Sequence, residues 1–203
     1  ALFETGLPML GLNTARGGRG EFGLSALPGR EVEARAAIDD ALSYAVAINA
    51  GSGHVMAGMA TGDAARGVFC DNLEYACERA APHGITILVE ALNPHDVPGY
   101  FLASPEQAAE LVERFAIPNL KLMFDCYHVG RSGGRVPERL QKLLPLIGHI
   151  QFARVPDRGP PIGGDVDYPT VFEQIDALGW SRPLGAEYIV DGETEATLQW
   201  MDP

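Results

Sequence analysis

Short, nearly continuous apolar runs alternate with amphipathic stretches along the whole chain. The runs Leu7–Leu12, His54–Met59, Ile85–Leu92, Leu120–Tyr127, His149–Val155 and Leu184–Val190 predict six strands. Their continuous apolar character suits parallel strands covered on both faces. Between them, apolar residues recur at helical spacing. Ala34, Ile38, Ala41, Leu42, Ala45 and Ile48 make one stripe, and Phe69, Leu73, Ala76, Cys77 and Ala80 make another, which Gly84 ends. Ser104-Pro105-Glu106-Gln107 reads as an N-cap, a proline at the first helical position and a capping-box glutamine. Val171, Phe172, Ile175 and Leu178 form a further stripe closed by Gly179, and Glu193–Met201 predicts a final helix.

Strand followed by helix, repeated, predicts an α/β fold with a parallel sheet. The candidates are a doubly wound open sheet and a TIM (β/α)8 barrel. Polar residues separate them. A barrel places its chemistry at the C-terminal ends of several strands, and Glu90, Asp125, Gln151 and Glu187 stand there in succession. An open nucleotide-binding sheet would concentrate it in one glycine-rich turn. Gly17-Gly18-Arg19-Gly20 follows a strand, but no helix begins there, so the barrel is favoured. Two long connections, 14–30 and 156–169, follow strands and are expected on the catalytic face.

Composition narrows the function. A chain of 203 residues with 46% hydrophobic content can bury one sizeable core, so a single domain over 1–203 is expected. A net charge of −12 repels phosphate backbones and argues against a nucleic-acid partner. No apolar run approaches the roughly 20 residues of a membrane span. Ala1–Gly6 lacks a basic start and a long apolar stretch, so it does not read as a signal peptide. Cys70, Cys77 and Cys126 are too few and odd in number for a disulfide framework; Cys70 and Cys77 read as buried small hydrophobes, and a reducing, cytoplasmic location is expected.

The strand-end residues carry the chemistry. Glu90, Asp125 and Glu187 each follow or end an apolar run, where an unpaired carboxylate is costly. Gln151 takes the matching place in His149-Ile150-Gln151-Phe152. The four are 35, 26 and 36 residues apart, each spacing fitting one strand–helix unit. Three carboxylates around one axis repel one another unless a cation joins them, and all-oxygen ligation favours Mg²⁺ or Mn²⁺ over Zn²⁺. The bland alternative for any one of them is a helix cap or a solvent-facing acid.

Several segments together resemble the hydroxypyruvate isomerase family, within the xylose-isomerase-like TIM barrels. They are Val89-Glu90-Ala91-Leu92-Asn93-Pro94-His95-Asp96-Val97-Pro98-Gly99-Tyr100-Phe101, Leu120–His128, Ile147–Gln151, Gly185–Tyr188, His54–Gly58 and Ala26–Arg30. The resemblance implies that Glu90 and Glu187 are both metal ligands and proton-transfer groups, with Asp125 and Gln151 completing the metal site. It implies a small hydroxy-keto acid as substrate, chiefly hydroxypyruvate converted to tartronate semialdehyde through an enediolate. It also implies substrate-binding roles for His128 and Asp96. Arg158 is the candidate for the substrate carboxylate, since a guanidinium suits bidentate recognition. Lys121 and His54 open their strands and read as structural, and His149 is expected to point away from Gln151.

Two loops depart from the family pattern. Val129–Gly134 replaces a glutamine-containing segment, and Gly159–Gly164 replaces a loop with histidine and glutamate. The alternatives are therefore an oxo-tetronate isomerase, a sugar epimerase, a repair endonuclease, or a barrel that binds an acid without turning it over. A full barrel takes about 250 residues, and the last four strands carry the motifs of the family's fifth to eighth. The first two strand–helix units are thus expected to be missing, with Ala1–Thr5 the tail of a helix. Open strand edges would then favour self-association into a homo-oligomer.

Overall fold

The computed structural model describes residues 2–201. Among them, six strands and seven α-helices alternate, and the strands follow chain order, β1-β2-β3-β4-β5-β6. The chain divides into two compact units, 1–122 and 123–203.

The first unit holds α1 (Leu2–Thr5), β1 (Leu12–Asn13), α2 (Glu31–Ala47), β2 (Ser52–His54), α3 (Gly62–Ala80), β3 (Thr86–Glu90), α4 (Pro105–Phe115) and the start of β4 (Leu120–Asp125). Ala1, placed at a helix end by the sequence, lies outside the described residues. β1 pairs parallel with β2 and β2 with β3, with Asn13 opposite His54 and His54 opposite Leu88. Most of the periodic positions are buried, with Ala41 and Ile48 only partly so. Ala34, Ile38, Leu42 and Ala45 of α2 are buried, as are Phe69, Leu73, Ala76, Cys77 and Ala80 of α3. Cys70 is only half-buried, because its place on α3 lies at the margin of that stripe. α3 ends in a 3-10 turn over Ala81–His83, and Gly84 stops it in the left-handed conformation at φ +66°. Ser104 caps α4 by accepting from Gln107 N at 3.2 Å, while Gln107 Oε1 accepts from Ala103 N at 3.0 Å.

Phe69 is fully buried and meets Phe101 edge to face, with ring centroids 5.3 Å apart. Phe69→Ala should lower unfolding stability by about 3–5 kcal/mol, since the surrounding side chains close only partly over the void. A loss of unfolding free energy of less than about 1 kcal/mol in urea titrations would show that this ring is not a core element.

The second unit holds the end of β4, α5 (Cys126–Arg131), α6 (Val136–Leu143), β5 (Ile147–Phe152), α7 (Tyr168–Ala177), β6 (Gly185–Ala186) and a 3-10 segment over Thr194–Met201. β5 pairs parallel with β6, with Gln151 opposite Gly185. Phe152 organises the packing, with the rings of Phe172, Trp200 and Tyr168 at 5.0, 5.3 and 5.8 Å. Tyr168 donates its hydroxyl hydrogen to Ala153 O, which satisfies the phenol inside this core.

Several boundaries differ from the sequence-based expectation. Strands were expected at Leu7–Leu12 and His54–Met59, but the paired segments are Leu12–Asn13 and Ser52–His54. The run Leu120–Tyr127 splits, because Asp125 caps α5 and turns the chain from strand into helix. α5 and α6 were not expected; they are six and eight residues long, too short for a clear helical period. The final segment is 3-10 rather than α. Among the described residues, no helix is long and apolar enough to cross a membrane.

Candidate active site

In the first unit the strand ends are polar. Glu90 closes β3 and is buried. His54 closes β2 and is also buried, which corrects its expected place at the opening of a strand. Its Nδ1 lies 3.2 Å from Asn13 Oδ1 and 3.7 Å from Glu90 Oε2. Asn13 Oδ1 is an acceptor, so Nδ1 carries the hydrogen. Burial pushes the imidazole down to about 3, and the ring is neutral at ordinary pH. The sequence places His54 at the opening of a strand that runs on to Met59, whereas β2 ends at His54 itself, and neither its place at a strand end nor its partner Asn13 is visible from that register.

The segment after Glu90 folds around Asn93, which is fully buried. Asn93 Oδ1 accepts from His95 N at 3.1 Å and Asp96 N at 3.0 Å, and its Nδ2 donates to Asp96 Oδ2 at 2.8 Å. This turn sets Asp96 on the exposed side of the loop that leaves β3. Asn93 is a further residue that the sequence pattern does not single out.

In the second unit Asp125 has two separate jobs for its two oxygens. Oδ1 accepts from Tyr127 N at 2.8 Å and caps α5. Oδ2 is buried and accepts no hydrogen bond among the described residues. It has cationic or titratable neighbours instead, with His128 Nε2 and Arg158 Nη2 each at 3.8 Å. Burial pushes the carboxyl upward, against the lowering pull of Arg158. Arg158 Nη2 also donates to Glu187 Oε2 at 2.8 Å, and its guanidinium lies 5.1 Å over the Tyr127 ring. Thus Asp125, His128, Arg158 and Glu187 are brought together within this unit. Glu187 follows β6 directly and is half-exposed.

Gln151 is the next-to-last residue of β5, and its Oε1 is buried with no hydrogen-bond partner among the described residues. His149 does not point away from it. Residues two apart on a strand share a face, and a Cβ on Gly185 would meet His149 Nε2 at 2.9 Å and Gln151 Cγ at 3.1 Å. A side chain larger than glycine at position 185 would therefore push on both.

The donor set fits a hard cation. Asp125 Oδ2 and Gln151 Oε1 are buried oxygens whose desolvation is uncompensated by hydrogen bonds, and Mg²⁺ and Mn²⁺ take such oxygens. His128 adds a nitrogen beside Asp125 that the sequence reading assigned to substrate.

Comparison with known proteins agrees with this architecture. The family model for xylose isomerase-like TIM barrels matches residues 1–203. The chain is 41% identical to 2-oxo-tetronate isomerase of Cupriavidus necator, covering 100% of this chain and 80% of that protein. It is 34% identical to hydroxypyruvate isomerase of Escherichia coli, covering 91% of this chain and 73% of that one. A crystal structure from Brucella melitensis described as an AP endonuclease, family 2, superposes with a TM-score of 0.94 at 37% identity, covering 98% of this chain and 80% of that one. Fold, strand-end chemistry and likeness over the full length agree, and the chain belongs to the xylose isomerase-like TIM barrel family.

Proposed function

We propose that this chain is a divalent-metal-dependent isomerase of small hydroxy-keto acids, acting on hydroxypyruvate or a 2-oxo-tetronate. The observation that carries the reading is Asp125, which uses one oxygen to cap α5 and presents the other, buried, beside His128 and Arg158. The likeness to isomerases of both acids supports the substrate class. Glu90, Asp125, Gln151 and Glu187 would hold the ion. When bound, it supplies Lewis-acid polarisation of the substrate oxygens.

The side chains do the rest. Arg158 pairs with the substrate carboxylate through its planar fork. One of Glu90 and Glu187 takes the proton from the hydroxyl-bearing carbon; that C–H electron pair becomes the carbon–carbon double bond and the carbonyl π pair moves onto its oxygen, giving an enediolate. The other glutamate returns a proton at the former carbonyl carbon, and the proton of the original hydroxyl passes to the former carbonyl oxygen as the new carbonyl forms. Atoms and electrons balance without an external oxidant. His128, buried beside Asp125, and Asp96, held by Asn93, orient substrate hydroxyls.

The test is deuterium wash-in from heavy water, followed by NMR, with Mg²⁺- or Mn²⁺-loaded protein. Hydroxypyruvate and a four-carbon 2-oxo-tetronate should exchange, and neutral ketoses should not. No exchange with either acid would overturn the proposal. Faster turnover of the four-carbon acid would favour the 2-oxo-tetronate reading, in line with its higher identity. A DNA substrate is disfavoured by the charge of −12; metal-dependent cleavage of duplex DNA would reverse that judgement.

A further inference from the structure

The loop after β5 is closed by a pair of side chains that the proposed chemistry does not use. Arg154 donates from Nε to Asp157 Oδ1 at 2.8 Å and from Nη2 to Asp157 Oδ2 at 2.6 Å, a two-pronged match of guanidinium to carboxylate. The backbone closes on the same turn. Arg158 N donates to Arg154 O at 2.8 Å, and Arg154 N donates to Gly159 O at 2.9 Å. Asp157 Oδ1 also accepts from Gly159 N at 3.3 Å, and Arg154 Nη1 reaches Ile162 O at 3.4 Å.

Two glycines make room for the Arg154 side chain. A Cβ on Gly159 would lie 2.7 Å from Arg154 Nη2. One on Gly164 would lie 2.7 Å from Arg154 Cγ and 2.3 Å from Val155 O, and Gly164 itself has φ +84°. The product of this closure is the conformation of Arg158. It stands at φ +59°, a left-handed backbone that a long side chain adopts only when its surroundings impose it. Its carbonyl accepts from Ile189 N at 2.7 Å, and its Nη2 is then aimed at Glu187 and Asp125.

We propose that Arg154 and Asp157 are a positioning pair that holds the 154–159 turn closed, so that Arg158 is pre-aimed at the carboxylate of an acid substrate. The inference rests on the reading of Arg158 as the carboxylate-binding residue. The competing account is an ordinary exposed ion pair, worth little and without consequence for binding. The two accounts differ in sign. Asp157 is a negative charge next to an anion-binding arginine, so removing it should tighten anion binding by simple electrostatics. A positioning role demands the opposite.

The probe is tartronate, an unreactive three-carbon diacid, titrated by calorimetry into Mg²⁺-loaded protein. Arg158→Ala should weaken tartronate by tenfold or more. Asp157→Ala should weaken it by about tenfold despite the loss of a negative charge, and should add nothing in an Arg158→Ala background, as expected of residues acting through one another. KM for the acid substrate should rise in step, while kcat stays within about twofold. If Asp157→Ala folds poorly, Arg154→Lys keeps the charge, removes the fork and should give the same loss. Tartronate binding unchanged or tightened in Asp157→Ala, with Arg158→Ala impaired, overturns the positioning pair alone. An equal loss in the Arg158→Ala background overturns it too, because the effect would then bypass Arg158. Unimpaired binding in Arg158→Ala overturns the carboxylate reading beneath it.

Discussion

Glu90→Gln should lower the rate of proton exchange at the substrate carbon by about 10²–10⁴-fold, and Glu187→Gln should do the same. Glutamine keeps the shape and one oxygen of each side chain but cannot take up a proton. The two residues sit in different surroundings, which makes the pair informative. Glu90 is buried at the end of β3 with a neutral imidazole 3.7 Å away. Glu187 is half-exposed and accepts from Arg158 at 2.8 Å. Under single turnover, the variant that loses deuterium entry at the hydroxyl-bearing carbon identifies the glutamate that takes the first proton. Metal content must be measured alongside, since each residue is also a proposed ligand. Wild-type exchange in either variant would remove that residue from the mechanism.

Chelation of divalent metal should reduce exchange to background, and Mg²⁺ or Mn²⁺ should restore it. The argument comes from the buried oxygens Asp125 Oδ2 and Gln151 Oε1, which carry a desolvation cost that a cation would offset. A second readout does not depend on activity. A ligand that binds only the folded chain stabilises it, by about 2.7 kcal/mol at a hundred times its dissociation constant. Melting should therefore rise with Mn²⁺, and Asp125→Asn should blunt that rise. Full activity after exhaustive chelation, or a melting temperature indifferent to Mn²⁺, would refute the metal site. Asp125→Asn keeps an oxygen that can accept from Tyr127 N, so the cap on α5 should survive the test.

Much of the architecture was legible in the order of residues. The stripes of α2 and α3 are read from spacing alone because burial acts on one face of a helix, and that face has a fixed period. The stop at Gly84 and the cap at Ser104 are local as well, since each concerns backbone groups within a few residues. The candidate residues stood out for a related reason. An acid that ends an apolar run is an exception to the rule that buries apolar groups, and Glu90, Asp125 and Glu187 are all such exceptions.

Tertiary structure decided where the strands end and how the side chains meet. A strand's limits depend on hydrogen bonds to neighbouring strands far away in sequence, and apolar content does not encode them. His54 therefore became visible as a partner of Glu90 only once β2 was seen to stop there, opposite Leu88 of β3. The expected outward turn of His149 failed on geometry that the sequence did contain, because positions 149 and 151 share a face of β5. Arg158 shows the division most clearly. Its type suggested a carboxylate partner, but its pairing with Glu187, 29 residues on, its approach to Asp125 and the bond from Ile189 N to its carbonyl exist only once those segments have been brought together. Residue type and local spacing specify which elements form and which chemistry is on offer; the direction of each polar group is set by contacts between distant segments, whose energies exist only after the chain has folded.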